Sequence, residues 1–181
     1  MAFYVLVRGP LGIGKSTVAR RLAKKVRAEY ISIDRILDEH GLERWYRGYY
    51  AQRSFLRANV FAARQARQSL GQGTPVVFDG NFYAKSQIQD LIGQLDYPHY
   101  VFTLEAPLSV CIARDRGRVP SLGRESTRAV YAKSTEFDYG IGVDAARPLE
   151  LVVGDIVARL SKDRREIPGR SHPSAGRAHR P

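Results

Sequence analysis

The residues best suited to chemistry lie in one short segment, residues 7–17, which reads VRGPLGIGKST. Gly9 and Gly14 enclose four residues and are followed by Lys15 and Ser16, which is the spacing of a phosphate-binding loop. Glycines let backbone N–H groups close around phosphate oxygens, and the helix that follows would point its positive end at them. In such a loop the lysine reaches the β- and γ-phosphates of a nucleoside triphosphate, where it acts in catalysis, and the serine hydroxyl binds Mg²⁺. The predicted nucleotide-binding residues of this segment are Gly9, Gly12, Gly14, Lys15, Ser16 and Thr17.

A carboxylate that could receive a proton stands at the end of the short run YISID, at Asp34. Residues 30–34 are predicted to form a strand, and acids at the carboxyl ends of parallel strands face the ligand crevice. A hydroxyl acceptor needs such a group to orient it, or to take its proton while a phosphoryl group moves. We therefore predict Asp34 as the base and an acceptor contact. The alternative is that Asp34 caps the helix that follows, since Asp is a favoured N-cap residue.

A second carboxylate, Asp79, ends the apolar run PVVFDG. An acid in this position is suited to help hold Mg²⁺ beside the bound phosphates. The alternative is plain turn chemistry in the tetrapeptide DGNF, because Asp, Gly and Asn are all common turn residues. The apolar strand before Asp79 favours the metal role, and Asn81 next to it is predicted to contact the acceptor.

Four arginines surround a short loop that contains Gly and Pro, in residues 111–124, CIARDRGRVPSLGR. Phosphoryl transfer spreads negative charge over the transferring oxygens, and an arginine that closes over them stabilises this charge and excludes water. The alternative is a solvated helix end in which Asp115 partly neutralises its neighbours. We predict that Arg118 and Arg114 are functional and that a small lid lies near residues 114–128.

The elements that must position these residues alternate between strands and helices. Apolar runs predict strands at residues 3–8, 30–34, 74–80, 99–106 and 139–144. Helical patterns occupy residues 15–28, 43–70, 85–95, 107–117, 125–137 and 148–160, with 43–70 taken as one or two helices. Strict alternation of strands and helices is typical of a parallel sheet covered on both faces, so the chain is predicted to be an α/β protein.

The composition narrows the class of protein. The chain has 181 residues, 44% of them apolar, which suits one domain over 1–161 and a basic tail over 162–181. A single cysteine, Cys111, excludes a disulfide framework and a cysteine zinc site. The first apolar run is short and soon interrupted by Arg8, so we expect no signal peptide, no membrane span and a cytoplasmic protein. The formal net charge of +11 suits binding to RNA or DNA, but also to nucleotides alone.

Taken in order, the segments GPLGIGKST, ISID, VVFDG, the arginine-bearing loop and YGIGVDAARPLE resemble the P-loop kinases of small molecules and nucleic-acid ends. That group includes polynucleotide, gluconate and shikimate kinases and zeta-toxin-like proteins, and the resemblance covers residues 3–160. It implies a three-layer α/β/α fold with five parallel strands in the order 2-3-1-4-5, and ATP with Mg²⁺ as the phosphoryl donor. It also implies that Asp34 is the base, that Arg114 lies near the adenine, and that residues 144–147, with Arg147, flank the adenine.

The sequence departs from polynucleotide kinases at one position. Those enzymes usually carry an arginine three residues after the catalytic acid, where it holds a substrate phosphate, and here that residue is Leu37. Arg35 stands nearby and is predicted as an acceptor contact in its place.

The chemical identity of the acceptor is not determined by these motifs. If residues 44–67 form a continuous helix, Arg53, Arg57, Arg64 and Arg67 share one face, with Tyr46 and Tyr50 near it. Such a face suits an anionic acceptor that carries a ring, and Arg53 and Arg57 are predicted to bind it. A solvated arginine-rich helix is the alternative.

Two function classes therefore remain open. The first is an ATP-dependent kinase that acts on a nucleoside, a nucleotide or a nucleic-acid end, with a small sugar or metabolite as the variant. The second is a P-loop ATPase that binds RNA and has no acceptor chemistry. A carboxylate at Asp34 and the lid arginines favour the kinase, because a binding switch needs no base beside the γ-phosphate.

Overall fold

The computed structural model describes residues 2–42, 45, 46 and 49–166. In chain order the elements are β1 (Tyr4–Arg8), α1 (Lys15–Val26), β2 (Glu29–Ser32), α2 (Ile33–Glu39), β3 (Trp45–Tyr46), β4 (Tyr49–Tyr50), α3 (Gln52–Gly71), β5 (Val76–Asp79), α4 (Lys85–Gly93), β6 (His99–Glu105), α5 (Leu108–Arg116), α6 (Arg124–Ser134), β7 (Ile141–Asp144) and α7 (Leu149–Glu166). The predicted alternation of strands and helices is therefore confirmed.

Five strands form one parallel sheet in the spatial order β2-β5-β1-β6-β7. Counted among themselves, these strands have the order 2-3-1-4-5, as the resemblance to P-loop kinases implies. The central strand β1 has β5 on one side and β6 on the other. After β1 the chain forms β2 and β5 on one side of it, and later β6 and β7 on the other side. This reversal of direction opens a crevice at the carboxyl end of β1.

The sheet separates two apolar cores, because side chains alternate between the two faces of each strand. Tyr4 and Leu6 of β1 belong to a core that also contains residues of α2, α3 and α4. Val5 and Val7 belong to the other core, with residues of α1 and α7. All five residues of β1 are buried, which is expected for a strand covered on both faces.

The segment predicted as helix over residues 43–70 begins differently. Strands β3 and β4 pair antiparallel, Trp45 beside Tyr50 and Tyr46 beside Tyr49, and the helix starts only at Gln52. Aromatic residues favour strands, and this local preference outweighs the helical spacing. The prediction that Tyr46 and Tyr50 extend the arginine face of one helix is therefore wrong.

Two other element boundaries differ from those predicted from the sequence. Strand β2 ends at Ser32, so Asp34 lies in the first turn of α2 and not at the end of the strand. The capping residue is Ser32, whose hydroxyl oxygen accepts from the backbone N–H of Arg35 at 3.3 Å. Helix α7 continues to Glu166, past residue 162 where the tail was predicted to begin, and residues 167–181 of that tail lie outside the described residues. Within the described residues, no helix has the length and apolar content needed to cross a membrane.

Candidate active site

The loop between β1 and α1, residues 9–14, contains three glycines with positive φ, and two of them have a close neighbour that a Cβ atom would meet. Gly9, Gly12 and Gly14 have φ values of 147°, 78° and 100°. A Cβ atom on Gly12 would lie 2.2 Å from the carbonyl oxygen of Cys111 in α5. The loop therefore lies directly against α5, with its backbone N–H groups at the N-terminal end of α1, and we call residues 9–16 the P-loop.

A cavity of about 520 Å³ opens over this loop, and we call it the P-loop cavity. It brings together most of the predicted nucleotide-binding residues, although Gly9 is not in its wall. The predicted site residues that line it are Gly12, Gly14, Lys15, Ser16, Thr17, Asp34, Arg114, Arg118 and Arg147.

Two arginines of the P-loop cavity are held by protein oxygens. Arg114 donates through Nη1 to the carbonyl oxygens of Ile13 at 2.9 Å and Ala145 at 2.8 Å. It thus joins the P-loop to the segment that follows β7. Arg147 forms ion pairs with Asp144 at 3.5 Å and with Asp155 at 2.5 Å. The hydrogen bond to Asp155 and the nearby charges raise the pKa of Arg147 above its usual value, so its positive charge is fixed at the cavity wall.

The ammonium group of Lys15 is buried beneath the P-loop, with 7% of the residue exposed. Its Nζ donates to the carbonyl oxygen of Pro10 at 3.0 Å. Burial lowers the pKa of Lys15, while the charges of Asp79 and Asp34 act in the opposite direction. The two predicted acids therefore lie close enough to Lys15 to stabilise its charged form.

The carboxylate of Asp79 is 1% exposed and does not line the P-loop cavity. Its Oδ2 accepts a hydrogen bond from the hydroxyl of Tyr30 at 2.8 Å. Its Oδ1 is buried and has no hydrogen-bond partner among the described residues. Such an oxygen beside the P-loop fits the predicted role toward Mg²⁺, since this ion takes one or two carboxylates and completes its shell with phosphates and water. In the described part of the chain, no group of three or more His, Cys, Asp or Glu side chains could hold a metal ion.

A second cavity of about 750 Å³ lies beside the first, and we call it the tyrosine cavity because Tyr30, Tyr50 and Tyr83 line it. Leu11, Arg20, Asp34 and Arg118 line both cavities. The two cavities therefore meet at the half-buried carboxylate of Asp34 and at two guanidinium groups.

The polar wall of the tyrosine cavity contains Arg35, Asp38 and Asn81. The Nδ2 of Asn81 donates to the hydroxyl of Tyr83 at 2.9 Å, which fixes the orientation of the amide. Burial, with a further contribution from Asp34, raises the pKa of Tyr83, so its hydroxyl stays protonated. Two of the predicted acceptor contacts, Arg35 and Asn81, are thus brought together with Asp34.

The other two predicted acceptor contacts are not. Arg53 and Arg57 are exposed on α3 and line neither cavity, so the structure does not bring them to the site. Leu37 also lies outside both cavities, because it is fully buried in the core. It cannot take the place of an arginine that holds a phosphate.

Several cavity residues were missed by reasoning from sequence. Arg20 follows Ser16 by one helical turn, and a helix of known start places both on the same face. Tyr30 and Ser32 are two positions apart on β2, so their side chains point to the same face of the sheet. Asp38 and Tyr83 carried no comparable signal. The residues in this set are Arg20, Tyr30, Asp38 and Tyr83.

The loop between α5 and α6 is organised by Asp115, which is 1% exposed. Its carboxylate accepts from the hydroxyl of Ser121 at 2.7 Å and from the backbone N–H groups of Leu122 at 3.4 Å and Gly123 at 3.0 Å. Burial alone would raise the pKa of Asp115, but these hydrogen bonds lower it by more, so it lies below its usual value. The loop that carries Arg118 is therefore tied to α5 by a charged group whose expected role was only to neutralise neighbours.

The fold and the P-loop are shared with known proteins. A family model described as an AAA domain matches residues 5–136. No curated protein sequence matches the chain. Among solved structures, a sugar kinase from Janibacter sp. has a TM-score of 0.75 at 17% identity, over 89% of this chain and 95% of that one.

Two further solved structures show the same fold. A gluconokinase from Sinorhizobium meliloti has a TM-score of 0.66 at 19% identity, over 90% of this chain and 95% of that one. A deoxyadenosine kinase from M. mycoides has a TM-score of 0.56 at 17% identity, over 88% of this chain and 99% of that one. The chain thus spans nearly the whole length of each of these structures.

Proposed function

Since the chain belongs to the AAA domain family, we propose that it is an ATP-dependent kinase that phosphorylates a hydroxyl group. ATP binds in the P-loop cavity and the acceptor binds in the tyrosine cavity. The observation that carries this proposal is that Asp34 and Arg118 line both cavities. A carboxylate at the junction of two sites is what transfer between them needs, whereas hydrolysis of ATP alone needs no second cavity.

In the transfer step, the acceptor hydroxyl donates a hydrogen bond to the carboxylate of Asp34. Its oxygen forms a bond to the γ-phosphorus while the bond from that phosphorus to the β,γ-bridging oxygen breaks, and the electron pair leaves with ADP. Asp34 receives the proton. Lys15 and Arg118 face the oxygens that carry the transferring negative charge. The Ser16 hydroxyl and the Asp79 carboxylate would hold Mg²⁺, which would supply positive charge beside the phosphates.

The adenine half of ATP lies toward Arg114 and Arg147 in this proposal. Arg114 fixes the backbone of the P-loop and of the segment after β7, so both walls of the P-loop cavity keep one spacing. Holding the nucleotide in one geometry is itself a large part of catalysis in phosphoryl transfer, because there is little covalent chemistry for the protein to perform.

For the acceptor, we favour a nucleoside, a nucleotide or a nucleic-acid end. The tyrosine cavity offers three aromatic rings and the guanidinium groups of Arg20, Arg35 and Arg118. Aromatic faces stack on bases, and arginines bind phosphates. Its volume of about 750 Å³ lies in the usual range for a small-molecule site.

A small sugar or other polyhydroxylated metabolite is the second candidate acceptor. The observation in its favour is the polar wall of Asp38, Asn81 and Ser126, which can hydrogen-bond several hydroxyl groups.

The proposal is tested by incubating the full chain with γ-labelled ATP, Mg²⁺ and a panel of acceptors. The panel contains ribonucleosides, deoxynucleosides, nucleotides, 5′-hydroxyl RNA and DNA, and sugars. Asp34→Asn should lower kcat by about 10²- to 10⁴-fold while ATP still binds, because a general base contributes that much. Asp96→Asn, at an exposed site outside both cavities, is the matched control and should keep the activity.

The outcomes separate the two function classes. Label on one acceptor that depends on Asp34 supports the kinase. Release of inorganic phosphate at one rate with every acceptor and with none, and no labelled acceptor, would instead identify a P-loop ATPase.

A further inference from the structure

We propose that Tyr30 is a positioning residue that orients Asp79 for the metal bound with the nucleotide. The inference rests on the proposed nucleotide site and not on the acceptor. The carboxylate of Asp79 is buried, with one oxygen held by Tyr30 and the other without a partner among the described residues.

The sheet places the two side chains on one face. In the register of β2 and β5, Tyr30 lies beside Val77 and Ser32 beside Asp79. Side chains of paired residues in neighbouring strands point the same way, and residues two apart on one strand do too. Tyr30 and Asp79 therefore meet diagonally across two strands, on the face that α1 and the P-loop cover.

The contact leaves one carboxylate oxygen for another partner. The Tyr30 hydroxyl donates to Oδ2 of Asp79 at 2.8 Å, which fixes the rotation of the carboxylate. The remaining oxygen, Oδ1, is then held in a buried position on β5, where Asp79 pairs with Val7 of β1 just before the P-loop begins. A buried carboxylate oxygen without a partner is unfavourable, so Oδ1 is suited to accept a partner that arrives with the ligand.

The tyrosine is itself held in place. The guanidinium carbon of Arg20 lies 5.2 Å from the centre of the Tyr30 ring, within the range of a cation–π contact. The ring is therefore contacted by a side chain of α1, while its hydroxyl donates to Asp79.

This arrangement resembles the second layer of residues around metal ligands in general. Groups that hydrogen-bond a metal-binding side chain fix its orientation, and their loss typically lowers metal affinity by about 10- to 100-fold. Tyr30 has the chemistry and the contact for that role, although it is not expected to touch the metal.

The test measures metal dependence of nucleotide binding without any phosphoryl transfer. A fluorescent, non-hydrolysable ATP analogue is titrated into the full chain with EDTA, and again at fixed analogue over a range of Mg²⁺ concentrations. Tyr30→Phe removes only the hydroxyl and keeps the ring under Arg20. We expect the metal-free dissociation constant to change by no more than about twofold. The Mg²⁺ concentration for half-saturation should rise by about 10- to 100-fold.

Two further variants make the result specific. Asp79→Asn should show a metal-dependent loss at least as large as that of Tyr30→Phe, and adding Tyr30→Phe to it should cause little further change, because both act through one carboxylate. Tyr131→Phe is the matched control, since its hydroxyl donates to the carbonyl oxygen of Ala106 at 3.2 Å, away from both cavities. It should bind Mg²⁺ and nucleotide as the unchanged protein does.

The inference is overturned if Tyr30→Phe keeps the half-saturating Mg²⁺ concentration of the unchanged protein. It is also overturned if binding falls equally in EDTA and in Mg²⁺, because that would mark a general defect of the site. Failure of the kinase proposal looks different: no acceptor would take label from ATP, while the metal dependence of analogue binding would still respond to Tyr30.

Discussion

The contact between the P-loop and α5 predicts that Gly12→Ala destabilises the protein well beyond the usual effect of a positive φ. Gly12 has φ of 78°, and a left-handed conformation is unfavourable by about 1–2 kcal/mol for a residue with a Cβ atom. The new Cβ would also lie 2.2 Å from the carbonyl oxygen of Cys111, where contacts under 3.0 Å essentially never occur. The loop and α5 must separate by about 0.8 Å, and overpacking of this kind costs about 1–3 kcal/mol.

A matched control separates the two contributions. Gly73 has φ of 83°, and a Cβ atom there would have no neighbour within 4 Å. Gly73→Ala should therefore lower the free energy of unfolding by about 1–2 kcal/mol, from the conformation alone. Gly12→Ala should lower it by about 2–5 kcal/mol, the sum of the two contributions.

Urea denaturation of the two variants, followed by circular dichroism without nucleotide, measures this difference. Equal midpoints and equal slopes for Gly12→Ala and Gly73→Ala would refute the close approach between the P-loop and α5. Binding of an ATP analogue gives a second measurement. Gly12→Ala should weaken it because the backbone N–H groups of the loop move, whereas Gly73→Ala should leave it unchanged.

Two more predictions concern the loop between α5 and α6 and the acceptor. Asp115→Asn should speed hydrogen exchange at the backbone N–H groups of residues 122 and 123 by about 10- to 100-fold, since hydrogen bonds to a charged group contribute about 1.5–3 kcal/mol. Despite burial, hydrogen bonding lowers the folded-state pKa of Asp115, so its contribution to stability is present above about pH 4 and is lost as pH falls through the folded-state pKa. Hydrogen exchange measured against pH should therefore show faster exchange at low pH in the unchanged protein. Asp115→Asn should show no such pH dependence. Arg35→Ala should raise KM for the acceptor, while Arg57→Ala, outside both cavities, should change it by no more than about twofold. Initial rates against acceptor concentration decide this, and a larger effect at Arg57 would restore it as an acceptor contact.

The predictions from sequence held best where spacing along the chain sets the geometry. The glycines, Lys15 and Ser16 are neighbours in sequence, so one tight turn and one helix start are enough to bring them together. The order of strands was equally accessible, because it follows from a resemblance that extends over nearly the whole chain. Asp34 lines both cavities even though it lies in the first turn of α2 and not at the end of β2. The end of β2 and the start of α2 are at the same edge of the sheet.

Spacing along the chain was a poorer guide to which helix faces are covered and to where short strands pair. Helical spacing put Arg53 and Arg57 on one face, but the packing of α3 against the sheet decided that this face is exposed. The aromatic run before α3 looked helical by its lack of proline, and strand pairing between β3 and β4 decided otherwise.

The sequence by itself determined the P-loop of this protein, because a P-loop is a local structure encoded in consecutive residues. Only the tertiary structure decided what surrounds it. The hydrogen bond from Tyr30 to Asp79 and the bonds from Arg114 to Ile13 and Ala145 join residues that are 31 to 101 positions apart. Such contacts depend on strand register and on packing between elements, and no spacing within a single element encodes them.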